Sequence, residues 1–555
     1  MNSVERIVLI GFSGTGKSTV ARLLAGRLGW DSCDTDEAIE RHWGATIPSI
    51  FREHGEAAFR ESERTILRQN LQRNDVVIAT GGGAAVDPDV WDRDAFGREG
   101  TLVVALDASP ETSLCRLQQQ AAAEGEAVER PLLAAADPLG RIRNLKASRQ
   151  ASYDAAHVTL SADAVSADVL ADELASLARI SAARPLTVRL AAGSGTSDIL
   201  VAPGTVSRIG EDVRARWPKT RHAWIVTDEN VGSLHAGAVT ESLLEAGIAP
   251  ETCAVPPGEG SKSLHTAGEL YDWLLGSGVE RGDVIIALGG GVVGDLAGFV
   301  AATVLRGIGL IQAPTSLLAA VDSSVGGKTG INHAAGKNLI GAFLQPSLVI
   351  ADTTLLRTMP DRELRSGWGE IVKHAVIQRS TPDGERGDLA TILERNAARL
   401  NCLEDPITAY LIWRNIALKA AVVAADEREA GIRAYLNFGH TLGHAIEAAD
   451  YALLHGEAVA LGMRAAAELG LACGTCETED VSRIHELVDR FGLPRAAPID
   501  EKNVLGLLGS DKKRIAGRQR YVLPLHNGGV VIRDDVPDAA VRHALSTVSS
   551  ARPAA

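Results

Sequence analysis

Three histidines, His440, His444 and His455, fall within sixteen positions of a 555-residue chain that holds 14 in all. His440 and His444 are four residues apart, so on a helix they share one face. That spacing lets two imidazoles converge on one metal ion. The alternative is a pair of packed or solvated histidines, because the glutamate that follows the first histidine of the metalloprotease motif is missing. Glu429, Arg433 and Asn437 precede them, and Gly456-Glu457 closes the stretch.

A second chemistry stands at the other end of the chain. Residues 6–10 are a short apolar, β-branched run, the pattern of a buried parallel strand. Gly11-Phe12-Ser13-Gly14-Thr15-Gly16-Lys17-Ser18 follows at once, and residues 19–28 read as a helix. This is a phosphate-binding loop in its required context of strand, glycine loop and helix. The candidate nucleotide residues are Gly14, Thr15, Gly16, Lys17, Ser18 and Thr19, with Lys17 reaching the β- and γ-phosphates and Ser18 a magnesium ion. In Asp34-Thr35-Asp36 one carboxylate suits magnesium through water, and the other suits a substrate hydroxyl as general base. Phe59-Arg60 with Glu63, Gly81-Gly82-Gly83, Arg130-Pro131-Leu132-Leu133, and Arg149 with Tyr153 come next. The segment before Arg130 is rich in Ala, Gln and Glu and reads as flexible, as a mobile lid would be. Taken singly, each of these arginines reads as a surface residue.

In this order, residues 1–180 resemble shikimate kinase. The resemblance implies that Asp36, Arg60, Gly82, Gly83 and Arg149 hold shikimate, with Asp36 as base and Asp34 toward magnesium. It also implies that Arg130 closes over the transferred phosphoryl group and that Arg116 lies beside adenine. The chemistry agrees: a carboxylate substrate suits arginine forks, and phosphoryl transfer asks the protein mainly to position groups and neutralise charge.

The elements that must position these groups exceed one core, so several domains are expected. Residues 181–185, Ser-Ala-Ala-Arg-Pro, suit a joint, and an alternating strand pattern begins at Leu186. The predicted domains are 1–183, 184–350 and 351–555. The balance is acidic, 56 basic against 70 acidic residues for a net charge of -14. Such a field repels nucleic acid and anionic membranes, so neither is an expected partner. Anionic substrates must be held by local clusters of Arg and Lys. Six cysteines do not make a disulfide framework. Cys473 and Cys476 form a lone Cys-x-x-Cys, read as two small helical residues in preference to a redox pair or zinc ribbon. The chain opens without a signal-peptide pattern. Its longest weakly charged stretch, 284–312, is broken by Asp295, Arg306 and glycines, and reads as strand, loop, helix and strand, not as a membrane span. A cytoplasmic protein is expected.

Beyond the joint, Asp228-Glu229-Asn230 follows a strand, where an acidic residue can bind a ribose hydroxyl. Gly289-Gly290-Gly291-Val292-Val293-Gly294-Asp295 ends another strand, a second place where bare backbone can approach a pyrophosphate, without being a strict dinucleotide fingerprint. Lys328 and Lys337 sit among glycines, Glu370 and Lys373-His374 lie on a helix, and Lys419 lies on a long helix over 407–425. Residues 186 to about 540 resemble 3-dehydroquinate synthase. The shared runs are 289–295, 324–328, 336–338, 369–373, 426–429, 436–444, 455–457 and Asp511-Lys512-Lys513.

The two resemblances together imply an α/β protein. A P-loop kinase domain, a parallel sheet with helices, comes first. A synthase module follows, with a Rossmann-like α/β domain and a mostly helical C-terminal domain. The cofactors implied are ATP with Mg2+, NAD+, and Zn2+ or Co2+. NAD+ falls on Asp228, Asn230, Glu259, Lys262, Gly290, Gly291, Val292, Asp295, Thr315, Ser316 and Lys337. The metal falls on Glu370, His440 and His455, one carboxylate and two imidazoles with positions left open, as a catalytic zinc site needs. Substrate contacts fall on Asp322, Lys328, Asn338, Lys373, Lys419, Glu429, Arg433, Asn437, His444, and Lys512 or Lys513. His444 thereby becomes a phosphate-facing group instead of a ligand. Arg306 corresponds to a residue that the family supplies to the neighbouring subunit, which implies a homodimer. Two other readings compete. A zinc- and NAD-dependent polyol dehydrogenase would share the nucleotide domain and metal but would not need Lys328, Asn338 and Lys512. A P-loop regulatory module would not need Asp36, Arg60 and Arg149 together.

Overall fold

The structure, a computed structural model, describes residues 4–124, 136–163, 165–429, 431–449, 452–510 and 519–550. Arg130, Lys512 and Lys513 lie outside the described residues. The chain divides into two compact units, Met1–Ile180 with Thr391–Ile407, and Ser181–Ala390 with Thr408–Ala555.

The first unit runs β1 (Arg6–Ile10), α1 (Lys17–Leu28), β2 (Asp31–Asp34), α2 (Thr35–Trp43), α3 (Ile47–Leu71), β3 (Val76–Ala79), β4 (Thr101–Asp107), α4 (Pro110–Glu124), α5 (Pro138–Asp154), β5 (Val158–Ser161) and α6 (Ala167–Ala178). Its five strands are all parallel, in the order β2-β3-β1-β4-β5. β1 and β3 are buried along their whole length, as strands covered by helices on both faces must be. β1 has β3 on one side and β4 on the other, so the strand order reverses beside it. Crevices for ligands open at the carboxyl ends of strands at such points. The segment before Arg130, read as flexible, is instead helical as far as Glu124. Its Ala, Gln and Glu are strong helix formers, and from Glu111 to Glu124 no Gly or Pro interrupts the run.

The second unit begins with β6 (Leu186–Ala192), β7 (Gly195–Val201), α7 (Ile209–Arg216), β8 (His222–Asp228), α8 (Glu229–Glu245), β9 (Ala249–Val255), α9 (Leu264–Gly276), β10 (Val284–Gly289), α10 (Gly291–Thr303) and β11 (Gly309–Pro314). The hairpin β12 (Lys328–His333) and β13 (Gly336–Phe343) then precedes β14 (Leu348–Ala351). Seven strands form a sheet in the order β6-β7-β14-β11-β10-β8-β9, parallel except at β6–β7. The sheet reverses direction between β8 and β10, again placing a crevice at their carboxyl ends.

Helices dominate the remainder: α11 (Asp361–Ile377), α12 (Leu389–Asn401), α13 (Ile407–Ala425), α14 (His440–Ala449), α15 (His455–Ala472), α16 (Thr478–Arg490) and α17 (Glu501–Ser510). The hairpin β15 (Tyr521–Pro524) and β16 (Val530–Arg533) and α18 (Asp538–Thr547) close the chain. Most of α12 belongs to the first unit. α13 is long and apolar enough to cross a membrane, but 78% of it is buried, and its apolarity serves the core. Cys473 and Cys476 are not within a helix as expected. α15 ends at Ala472, and both are free thiols in the turn that follows.

α14 and α15 pack backbone to backbone. A Cβ on Gly462 would collide with the main chain of Gly439 and Gly443. Gly462→Ala should therefore push α14 off α15, at an overpacking cost of about 1–3 kcal/mol. Calorimetry of the intact chain should show the second unit melting a few degrees earlier, with the first unit unmoved. An unchanged second transition would refute this account of the packing.

Candidate functional site

The first unit gathers its chemistry at the carboxyl ends of β1, β2 and β3. Gly14 and Gly16 take φ of +81° and +91°, left-handed values closed to most side chains, which turn the loop's N–H groups inward. Lys17, 8% exposed, donates to the Gly11 and Phe12 carbonyls at 2.9 and 2.8 Å. Burial pulls its pKa down to about 8, against the pull of Asp36 and Asp34. Asp34 caps α2, its Oδ1 accepting from the N–H groups of Asp36 and Glu37 at 3.0 and 3.3 Å. Asp36 is pushed up to about 6 by burial, then by Asp34 and Glu63. Its buried Oδ1 has no hydrogen-bond partner, the state of an acceptor awaiting a hydroxyl.

The glycine run 81–83 is the floor of this site. A Cβ on Gly81 would meet Asp36 Oδ1 and Glu63 Oε1 at 2.7 Å, and one on Gly83 would meet the Arg60 guanidinium at 2.8 Å. Arg149 and the Tyr153 hydroxyl both donate to the Gly82 carbonyl, at 3.0 and 2.6 Å. Arg60 is held by Glu63 at 2.6 Å. Arg116 spans from the Thr15 carbonyl at 3.4 Å to the Ala162 carbonyl at 2.6 Å. Asp36, Arg60, Gly82, Gly83 and Arg149 are thus brought together as the sequence predicts. Glu63 and Tyr153 were left out of the predicted site and belong to it. Glu63 is one helical turn from Arg60, in the same run that carries the resemblance.

In the second unit a cleft of about 1180 Å³ holds nearly every remaining predicted residue. Asp228, Asn230, Glu259, Lys262, Gly290, Gly291, Val292, Asp295, Thr315, Ser316 and Lys337 line it. So do Asp322, Lys328, Asn338, Lys373, Lys419, Glu429, Arg433, Asn437, His440, His444 and His455. Asp228 caps α8 with one oxygen, Oδ1, at 3.0 Å from both the Asn230 and Val231 N–H groups. The α10 N-terminus opens at Gly290 with bare main chain. Lys262, 4% exposed, donates to Asp295 Oδ2 at 2.7 Å and Asn338 Oδ1 at 2.5 Å. Asn332, absent from the predicted set, ties the Asn338 N–H to Glu259 at 2.9 and 2.7 Å. Arg306 is exposed and does not line the cleft.

Glu370 lies behind the cleft, wholly buried. Its Oε2 accepts from Lys373, one turn along α11. Its Oε1 has no hydrogen-bond partner and lies 3.4 Å from His440 Nε2 and 3.6 Å from His455 Nε2. The His440 Nδ1 sits 3.2 Å from the Phe438 carbonyl, which leaves Nε2 with its lone pair toward Glu370. A carboxylate oxygen and two imidazole nitrogens brought within 3.6 Å fit a divalent metal. Nitrogens of His440, His444 and His455 also lie within 4.8 Å of one another, so the neighbourhood holds a third imidazole beside the Glu370 set. Burial would raise the Glu370 carboxyl, but Lys373, His440 and His455 hold it well below the usual range.

Elsewhere in the cleft, Lys419 donates to Asp322. Burial opposes the charge on Asp322, yet Lys419 keeps that carboxyl well below its ordinary value. Glu429, at φ +63°, accepts from Lys328 at 2.7 Å and from Asn437 at 2.8 Å. A non-glycine residue held there marks a strained, over-determined position. Glu447 was also missed. Its Oε2 lies 3.0 Å from His455 Nδ1, and its Oε1 accepts from Lys337 at 2.7 Å. The signal existed: His440, His444 and Glu447 follow an i, i+4, i+7 spacing on α14.

A family model for shikimate kinase matches residues 13–178. Models for the N-terminal and C-terminal parts of 3-dehydroquinate synthase match residues 252–366 and 367–514. The 3-dehydroquinate synthase of Symbiobacterium thermophilum is 44% identical over 354 residues, covering 63% of this chain and 97% of that protein. The one from Pelobacter propionicus is 46% identical over 352 residues, covering 62% and 95%. A solved structure of 2-epi-5-epi-valiolone synthase from Streptomyces hygroscopicus, with NAD+ and Zn2+ bound, is 27% identical. It superposes with a TM-score of 0.58 over 64% of this chain and 98% of its own. A 2-deoxy-scyllo-inosose synthase, complexed with carbaglucose-6-phosphate, NAD+ and Co2+, shares the fold at 24% identity and a TM-score of 0.55, over 65% and 99%.

The His455–Glu447 pair gives a direct check. Burial alone would lower the His455 pKa, but the neighbouring carboxylates of Glu370 and Glu447 raise it to about 10. A raised pKa means that charged His455 stabilises the metal-free fold fully below its ordinary value of 6.5, and that this is lost as pH passes 10. In metal-free protein, Glu447→Gln should lower the His455 midpoint by about one to two pH units, the worth of one charged hydrogen bond. Histidine NMR titration measures it, and an unmoved midpoint would show that Glu447 does not hold the imidazole.

Proposed function

We infer the function of this chain from its family: it belongs to the 3-dehydroquinate synthase family and carries a shikimate kinase domain ahead of the synthase. It is a bifunctional enzyme of the shikimate pathway. One activity phosphorylates shikimate with ATP to 3-phosphoshikimate. The other converts 3-deoxy-D-arabino-heptulosonate 7-phosphate to 3-dehydroquinate and phosphate. The observation that carries the reading is the pair of preorganised centres. Asp36 stands over a glycine floor in one, and Glu370 converges with two imidazoles behind a nucleotide-sized cleft in the other.

In the kinase, Arg60 and Arg149 take the substrate carboxylate, and Asp36 accepts the proton of the attacking hydroxyl. The loop N–H groups and Lys17 hold the ATP phosphates, with Ser18 and Asp34 toward Mg2+. Arg116 lies beside adenine. In the synthase, the α10 N-terminus receives the NAD+ pyrophosphate, Asp228 a ribose, and Lys262, Asp295 and Glu259 its surroundings. Glu370, His440 and His455 would hold zinc or cobalt. Bound, the two cofactors supply a reversible hydride acceptor and a Lewis acid that polarises the substrate hydroxyls. Lys328, Asn338 and His444 surround the substrate phosphate, while Lys419, Arg433 and Asn437 take its other end. Lys373 and Glu429 orient the reacting hydroxyls. The net reaction is not a redox reaction.

Arg306, exposed and outside its own cleft, supports the reading that it completes the site of a second subunit in a homodimer. A cytoplasmic location fits two enzymes acting on soluble metabolites.

Lys17→Ala should cut kinase turnover on the order of 10²–10³-fold and spare the synthase, and His440→Ala should do the reverse. Paired assays of ADP formation and phosphate release on the intact chain decide it, and loss of both activities from either change would sink the two-centre model. The kinase should also show a bell-shaped kcat/KM. The Asp36 base is available only as pH rises past about 6. The Lys17 charge is lost as pH rises past about 8. A profile flat from pH 5 to 9 would remove Asp36 and Lys17 from these roles.

A further inference from the structure

β5 is an outer strand of the kinase sheet, and among the described residues no strand lies beyond it. An open edge leaves main-chain groups that must find partners. One side chain closes it. The Thr159 N–H donates to Asn396 Oδ1 at 2.8 Å, and Asn396 Nδ2 donates to the Thr159 carbonyl at 2.9 Å. Both residues are buried, 2% and 1% exposed. The carboxamide thus makes the paired bonds that a neighbouring strand residue would make. Asn396 stands on α12, within residues that match the C-terminal model of the synthase.

Two further contacts come from the same helix. Arg395 Nε donates to Asp107 Oδ2 at 2.9 Å, at the carboxyl end of β4. Arg399 donates to the Ala155 carbonyl at 2.6 Å, just before β5. Asp107 is nearly buried and its other oxygen pairs with Lys146 of α5 at 2.6 Å. Lys146 in turn donates to the Ala108 carbonyl at 2.6 Å, where the chain leaves β4 for α4 and Arg116. Three residues beyond Thr159, the Ala162 carbonyl receives Arg116. Arg395 and Asn396 therefore bear on the ends of β4 and β5, and Arg116, on the helix that follows β4, joins the β5 end to the phosphate-binding loop.

We propose that Arg395 and Asn396, which lie in the synthase part of the sequence, are positioning residues of the kinase and set the nucleotide side of its centre. The proposal rests on the reading that Arg116 lies beside adenine. It makes α12 a structural part of the kinase, so a chain ending near residue 183 lacks what closes its sheet. It predicts a selective defect, because the contacts of Arg395, Asn396 and Arg399 go to the β4 and β5 side of the kinase centre.

The test uses the full chain. Arg395→Ala with Asn396→Leu should raise the KM for ATP on the order of tenfold. The KM for shikimate and the synthase rate should stay at their original values. Arg395→Lys, which keeps a cation for Asp107, should restore most of the loss due to Arg395→Ala. Asn396→Asp keeps the acceptor and loses the donor, and should show the same selective rise if the double variant fails to fold. An unchanged KM for ATP in Asn396→Asp would overturn the proposal. So would an equal worsening of both KM values together with an earlier kinase melting transition, the mark of a merely structural helix. Arg116→Ala separates the two readings: if it leaves the KM for ATP unchanged, the adenine assignment fails, whatever the α12 variants do.

Discussion

A fully buried carboxylate governs the synthase half. Glu370 has no solvent contact, and an isolated charge there would cost several kcal/mol. It is tolerable because Lys373 arrives on the same helix and two imidazoles arrive on α14 and α15. Those helices can bring their histidines close only because glycines let the backbones touch, as Gly462 does against Gly439 and Gly443. The orientation of each imidazole is then set from behind, His440 by the Phe438 carbonyl and His455 by Glu447. Ligand geometry in this unit is thus a consequence of helix packing.

The cleft shows how an acidic chain holds anionic substrates. Its lysines are not loose. Lys262 is held by Asp295, Lys328 by Glu429, Lys337 by Glu447 and Lys419 by Asp322. Each cation is fixed in place before any phosphate or carboxylate reaches it, which lowers the ordering cost of binding. The carboxylates also share in the function, since Glu429 orients Asn437 and Glu447 orients His455. The kinase centre uses the same economy with fewer parts. Glu63 steadies Arg60 and crowds Asp36, and burial with that crowding raises the Asp36 carboxyl toward the range useful to a general base.

Much of both sites was legible because the residues come in dense local runs. The strand–loop–helix at Gly11 to Ser18, the strand into Gly289 to Gly291, and the helix that begins at His440 appear where periodicity and glycine content place them. Asn332 acts through other side chains and carries no motif of its own, while Glu447 shows in the sequence only as a third position on the histidine face of α14. Glu63 and Tyr153 stood in recognised runs, but only the floor at Gly81–Gly83 shows what they press against. The helix over Pro110–Glu124 was misread because a polar, alanine-rich run has little amphipathic pattern, although its propensity for helix is high.

The sequence by itself determined the two chemistries, the strand and helix types, and most of the groups that face each ligand, since these depend on neighbours within a few residues. Residue spacing alone does not say which carboxylate meets His440 and His455, an assignment that came from the family resemblance, and only the tertiary structure shows where the kinase sheet finds its last partner. Glu370 is 70 positions from His440, and Asn396 is 237 positions from Thr159. No local pattern encodes a contact across such distances. It is settled when burial of apolar faces brings α11 against α15, and α12 against the open edge of β5, and the polar groups trapped there must satisfy one another.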